Sequence, residues 1–122
     1  MLSSLDLAAV NSFLITARKE IDKNNAYFVY YRNVKSGNKV VNARQALLDI
    51  GIIKISEIWN HIKELQPSDC FRISRDRDFS RDFNAEIYEF KKNINRKNVY
   101  IKLTINDKGL LCLSFHIDNG GN

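Results

Sequence analysis

The chain has two histidines, His61 and His116, and they bound the chemistry it can do. They fall on different predicted elements, and neither is spaced with cysteine as a zinc site requires. A magnesium-dependent nuclease gathers several carboxylates around its ion. Here the acids are scattered, and many alternate with cations, as in Arg75-Asp76-Arg77-Asp78. Gly37, Gly51 and Gly109 read as turns and helix stops rather than as a phosphate loop, and there is no Gly-x-Ser-x-Gly elbow. Neither histidine follows an arginine at the spacing of the helical ribonucleases.

Metal-free, cofactor-free cleavage of RNA remains open to these residues. It needs a base for the ribose 2′-hydroxyl, cations for the crowded phosphorane and an acid for the 5′-oxygen. His116, Tyr100, Lys102 and nearby arginines offer such groups. Between Lys91 and Lys108 stand six basic residues (Lys91, Lys92, Arg96, Lys97, Lys102, Lys108) and one acid, Asp107. Tyr88, Phe90 and Tyr100 interleave with them and could stack on bases. The plainer reading of the same run is a solvated hairpin whose edge lysines blunt aggregation. The whole chain carries 19 Lys and Arg against 14 Asp and Glu, a formal charge of +5, which makes a polyanion a partner worth testing.

These groups must be held by an α+β fold. Leu7, Val10, Leu14, Ala17 and Ile21, with Phe13 beside them, predict a first helix that Ser3 or Ser4 caps. Ala26 to Val34 reads as a strand, with an extension of the helix as the alternative. Asn42 caps a short helix over 43–50 that Gly51 ends. Ser56 caps another, with Ile58, Trp59, Ile62 and Leu65 on one face, and Pro67 stops it. Strands follow at 70–74, 85–92, 99–105 and 110–117, with loops at 75–81 and 93–98. The expectation is N-terminal helices packed on a twisted antiparallel sheet of three to four strands, in a single domain of 122 residues. Apolar runs are too short to span a membrane, and the N-terminus does not read as a signal peptide. Cys70 and Cys112 are therefore expected to be reduced, buried and cytoplasmic.

The last two strands are predicted in register. Asn106-Asp107-Lys108-Gly109 favours a type I turn with a glycine bulge, which sets Asn106 opposite Leu110. Ile105 then faces Leu111, Leu103 faces Leu113 and Ile101 faces Phe115, all on the core side. Thr104 meets Cys112, Lys102 meets Ser114 and Tyr100 meets His116 on the other side. That second set is either the polar outer face any antiparallel sheet needs or the start of a site.

The run Val99 to His116, VYIKLTINDKGLLCLSFH, resembles the C-terminal hairpin of the MqsR family of type II toxins, small ribonucleases with a RelE-like fold. Upstream, Ala46 to Ile52 and Ser56 to Ser74 resemble the family's helix-rich middle and first central strand. The segment 26–39 looks like an insertion. The resemblance implies helices against a twisted sheet with the active site on its open face. It also implies a metal-independent mRNA endonuclease that needs no cofactor, arrests growth in the cytoplasm and is silenced by a cognate antitoxin protein. The family's active-site tyrosine falls on Tyr100 and the following lysine on Lys102. Its C-terminal catalytic lysine falls on His116, and a further lysine falls on Arg72, which keeps the charge but cannot act as a base. The family's strand glutamine has no clean match, with Asn84 and Glu86 the nearest polar residues. On this reading His116 is the acid or base and Tyr100 positions or protonates. Arg72 and Lys102 stabilise the phosphorane, while Arg75, Arg77, Arg81, Lys91, Lys92, Arg96 and Lys97 hold RNA backbone. The rivals are a non-catalytic RNA-binding module and a protein-interaction domain, which an exposed Tyr27–Tyr31 strand would favour.

Overall fold

A capping box starts the first helix, α1 (Ser4–Asp22): the Ser3 hydroxyl accepts from the Asp6 amide, and the Asp6 carboxylate accepts from the Ser3 amide. The computed structural model describes residues 2–30, 33–74 and 86–118. Asn24, at φ +59°, closes the helix and turns the chain into β1 (Ala26–Phe28). A two-stranded antiparallel ribbon follows, β2 (Asn33–Ser36) and β3 (Lys39–Asn42). Next come α2 (Ala43–Ile50) and α3 (Glu57–Lys63), then β4 (Cys70–Ser74), β5 (Ile87–Ile94), β6 (Lys97–Asn106) and β7 (Gly109–Ile117).

The helices lie close to where their signals put them. The Asn42 side chain accepts from the Gln45 amide at 2.7 Å, and Gly51 takes the left-handed cap. At α3 the signal is a different one. Ser56 makes no side-chain cap, and Glu57 instead accepts from the Lys54 amide at 2.8 Å. Trp59 is only partly buried, beside fully buried Ile58 and Ile62. Val10 and Leu14 of α1, Leu47 and Ile50 of α2, and Ile58 and Ile62 of α3 share one hydrophobic cluster with Phe90, Ile101, Leu103 and Phe115 of the sheet.

The main sheet has five strands in the order β1-β7-β6-β5-β4. It is mixed, where three or four antiparallel strands were expected. The expected strand from Ala26 to Val34 divides in two. Its first half, β1, joins the far edge of β7 in parallel, pairing Tyr27 with Leu111. Its second half becomes β2 of the separate ribbon. Gly109 makes the parallel pairing possible, because the Asn25 carbonyl passes where a Cβ would sit and accepts from the Leu110 amide.

The 93–98 segment is tighter than a loop. Asn95 and Arg96 both take positive φ, the signature of a two-residue hairpin turn, and Ile94 pairs with Lys97. That register sets Glu89 opposite Lys102 and Lys91 opposite Tyr100.

The β6–β7 register corrects the expectation near its turn and agrees with it farther out. Asn106 pairs with Gly109, Ile105 with Leu110, Thr104 with Leu111 and Leu103 with Cys112. The extra residue is not at the turn. It is a bulge between Cys112 and Ser114, after which Lys102–Ser114, Ile101–Phe115 and Tyr100–His116 pair as expected. Leu111 and Leu113 therefore leave the core side. They gather on the opposite face with Val29 and Ile87, while Cys112 is fully buried in the main cluster.

Candidate active site

Two bulges flank the open face of the sheet and set which side chains reach it. Strand alternation from core-facing Cys70 would send Arg72 to the core, and from Cys112 it would send Ser114 and His116 there too. A register shift between Cys70 and Arg72 reverses this in β4, as the Leu113 bulge does in β7. Each bulge is spanned by a buried cysteine. The Cys70 thiol donates to the Arg72 carbonyl at 3.5 Å, and the Cys112 thiol donates to the Ser114 carbonyl at 3.4 Å. Both thiols are free, and burial pushes both above the usual cysteine range.

Glu89 is the centre of the resulting cluster, and it was not among the expected residues. The residue is 2% exposed. Arg72 donates to it twice, from Nε and Nη2, each at 2.7 Å, and the Ser74 hydroxyl donates at 2.8 Å. The Tyr100 hydroxyl makes a short bond to the same carboxylate. Burial alone would raise the Glu89 pKa, but the bonds from Arg72, Tyr100 and Ser74 outweigh it and hold the group at about 2. Glu89 is thus a fixed anion at neutral pH, poorly suited to being a base. Burial and the Glu89 charge together push the Tyr100 phenol well above its ordinary value. Its proton is committed to Glu89. Of the two polar residues named for the unmatched glutamine, Glu86 is exposed just before β5 and Asn84 lies outside the described residues. The signal that would have found Glu89 is the Asn95-Arg96 turn, which aligns it with Lys102.

Beside this cluster a cleft of about 370 Å³ opens, lined by Phe71, Arg72, Lys91, Tyr100 and Asp118. The Arg72 side chain is 60% exposed despite its bond to Glu89. Lys91 pairs with Asp118 at 3.4 Å and holds its ammonium 4.7 Å from the Phe71 ring centre. The Arg72 guanidinium lies 5.5 Å from the same ring. Lys102 stands in register between Glu89 and Ser114.

His116 is buried, and its ring centre is 5.2 Å from that of Tyr100. Its Nδ1 lies 2.8 Å from the Ile117 carbonyl oxygen. A carbonyl only accepts, so Nδ1 carries the proton and Nε2 presents its lone pair. Burial lowers the His116 pKa, partly offset by the Ile117 carbonyl and Asp118, which keeps the ring neutral at physiological pH. It adjoins the cleft through Tyr100 rather than forming part of its wall.

The expected backbone contacts are dispersed. Lys91 is in the cleft, and Lys92 stands 3.9 Å from Asp69. Arg96 and Lys97 are exposed at the β5–β6 turn, three residues or more along β6 from Tyr100. Arg75, Arg77 and Arg81 lie outside the described residues. Elsewhere, Tyr27 and Tyr30 are exposed and, with Ile55 and Trp59, line a groove of about 320 Å³. Tyr31 lies outside the described residues. Among the described residues no helix is long and apolar enough to cross a membrane. No protein-family model matches the sequence, and no curated protein matches it.

Proposed function

We propose that this protein is a metal-independent endoribonuclease of the toxin type, acting on mRNA in the cytoplasm and held in check by a cognate antitoxin protein. On this reading its sheet is a variant of the RelE-like architecture, with β1 added to one edge. The observation that carries the proposal is the joining of Arg72, Tyr100, Lys102 and His116 on one sheet face, beside a cleft walled by Arg72 and Lys91.

The chemistry follows from the protonation states. Neutral His116 takes the 2′-hydroxyl proton at Nε2, and the 2′-oxygen attacks phosphorus. Arg72 and Lys102 offset the charge that builds on the phosphorane. The P–O5′ bond breaks, the leaving 5′-oxygen takes its proton from solvent water, to which the His116 imidazolium then returns the proton it accepted, and a 2′,3′-cyclic phosphate remains. Tyr100, with its proton committed to Glu89, is a positioning residue rather than the acid. Glu89 fixes Arg72 and Tyr100 relative to one another.

One observation favours a second reading. His116 is 6% exposed, so substrate reaches its ring only after neighbouring side chains move. A protein that only binds RNA would use the same cationic cleft and need no such movement. The exposed Tyr27 and Tyr30 offer a surface for the antitoxin under the first reading, or for another protein partner under a third.

The deciding experiment is cleavage of a structured mRNA by purified protein in EDTA, wild type against His116→Ala. The proposal expects cleavage that ends in cyclic or 3′-phosphate and is lost in the variant. Cutting that requires added magnesium, or equal cutting by the variant, sinks the mechanism. Salt-sensitive binding without any cutting leaves the RNA-binding module.

A further inference from the structure

The cleft is the middle of a longer track. Phe71 lines it and also lines an apolar pocket of about 430 Å³ formed with Leu2, Leu7, Ser68 and Cys70. On the other side, Lys91 and Asp118 line both the cleft and a third hollow of about 260 Å³, which Lys92, Asn93 and Asn98 complete. The three hollows therefore share walls, and their chemistry differs in order along the surface. One end is apolar around an aromatic ring, the centre sets two cations against the single Asp118 carboxylate, and the other end is flanked by two asparagines.

That order matches the repeating chemistry of a single-stranded nucleic acid, an apolar base, an anionic phosphate, then another base with polar edges. The β4 bulge explains why Phe71 serves two hollows. It turns Phe71 out of strand alternation, so the ring stands as a partition with Arg72 and Lys91 against it within the cleft. Phe71 also lines the apolar pocket, giving it an aromatic wall of the kind base stacking uses. In the third hollow, Asn93 and Asn98 face one another across the β5–β6 hairpin, and carboxamides pair with base edges.

We infer that the structure holds two chemically distinct nucleobase subsites on either side of the Arg72–Lys91 phosphate cleft: a stacking pocket against Phe71 and an amide-lined pocket at Asn93 and Asn98. The inference rests on the RNA reading given above and deepens it. The ligand is an unpaired RNA segment, because a base in a duplex cannot enter either pocket.

Two substitutions separate the subsites without touching the Glu89 cluster. Leu7→Trp fills the apolar pocket from a half-exposed helix position outside the main core. Asn98→Ala removes one amide from the other hollow. The probe is a fluorescein-labelled 2′-O-methyl pentanucleotide, which cannot be cleaved, read by anisotropy. Parallel probes carry an abasic nucleotide at each successive position. Wild type is expected to lose about tenfold in affinity at two separated positions. Leu7→Trp should erase the penalty at one of them and Asn98→Ala at the other. Binding that ignores abasic substitution, or the same two penalties in both variants, overturns the subsites while leaving RNA binding intact. Absence of any binding by wild type overturns both the subsites and the RNA reading.

Discussion

Arg72 closes two hydrogen bonds on one carboxylate, its Nε and Nη2 each 2.7 Å from an oxygen of Glu89. The two residues are paired across β4 and β5, so the bond is built into the sheet. It also sets an asymmetry: the anion is buried while the cation reaches into the cleft. The pair thus fixes a guanidinium in the cleft wall, and the bonds from Arg72, Tyr100 and Ser74 outweigh the cost of burying the carboxylate.

Acid should undo that arrangement. The Glu89 carboxyl lies at about 2 in the fold against an ordinary 4.5. A depressed folded-state pKa contributes stability above the unfolded value that is lost as pH falls toward the folded one. Wild type should therefore lose stability between about pH 4.5 and 2, on the order of 2 kcal/mol given the solvent around Arg72. Glu89→Gln should be less stable than wild type at pH 7 by about that amount, and nearly equal to it at pH 2. Urea midpoints at several pH values measure both. A constant gap between the two proteins across that range would contradict the assignment.

His116 should titrate below its ordinary value. Burial disfavours the imidazolium, so the folded state binds its proton less tightly than the unfolded chain does. Stability therefore falls as pH drops below about 6.5. Under the ribonuclease reading, single-turnover cleavage should rise with pH through the His116 pKa and be level by pH 7. His116→Ala should lower the rate by about 10²–10⁴ across the plateau. NMR titration of the two imidazoles, assigned with that variant, gives the pKa directly. A His116 resonance still titrating above pH 7 would remove the neutral base.

The helices were legible because their caps are local: Ser3 with Asp6, Asn42 with Gln45, and Gly51 each act within a turn. The pairing of Tyr100 with His116 was legible too, but by a route the turn did not dictate. A two-residue connection and a bulge at Leu113 together add the one residue expected of a glycine bulge beside the turn. Hydrophobic pattern alone cannot distinguish those solutions, because Leu111 and Leu113 are as apolar as Cys112. They fill a second apolar cluster with Val29 and Ile87 instead of the main one. Glu89 was legible only through the Asn95-Arg96 turn, because its neighbours Tyr88 and Phe90 make the strand read as core and its partners come from β4 and β6. The parallel docking of β1 is a long-range choice, written in one glycine.

That glycine should be intolerant. Gly109 sits at φ +126°, and a Cβ there would collide with the Asn25 carbonyl oxygen and its side chain. Gly109→Ala meets both the backbone strain and the collision, and should cost about 2–4 kcal/mol. The urea midpoint should fall with little change in slope. Amide exchange should show where the loss falls: the Leu110 and Val29 amides, which bond Asn25 and Cys112, should exchange faster than those of β5. Uniform loss of protection across the sheet would mean β1 is no separate unit.

The thiol of Cys112 should matter through geometry rather than reactivity. Its sulfur is buried, and its pKa lies far above the range in which thiolates form. What it does is bond the Ser114 carbonyl across the bulge that turns Ser114 and His116 to the open face. Cys112→Ala removes that donor and a sulfur-sized volume, and should cost about 1–2 kcal/mol. Cys112→Ser restores a donor at the price of a buried hydroxyl, so its stability need not recover. Its register should. Cross-strand NOEs between Tyr100 and His116 should weaken in the alanine variant and return in the serine one. If both variants keep those NOEs at full strength, the bulge is held by packing alone, and the hydrogen bond is incidental to the placement of His116.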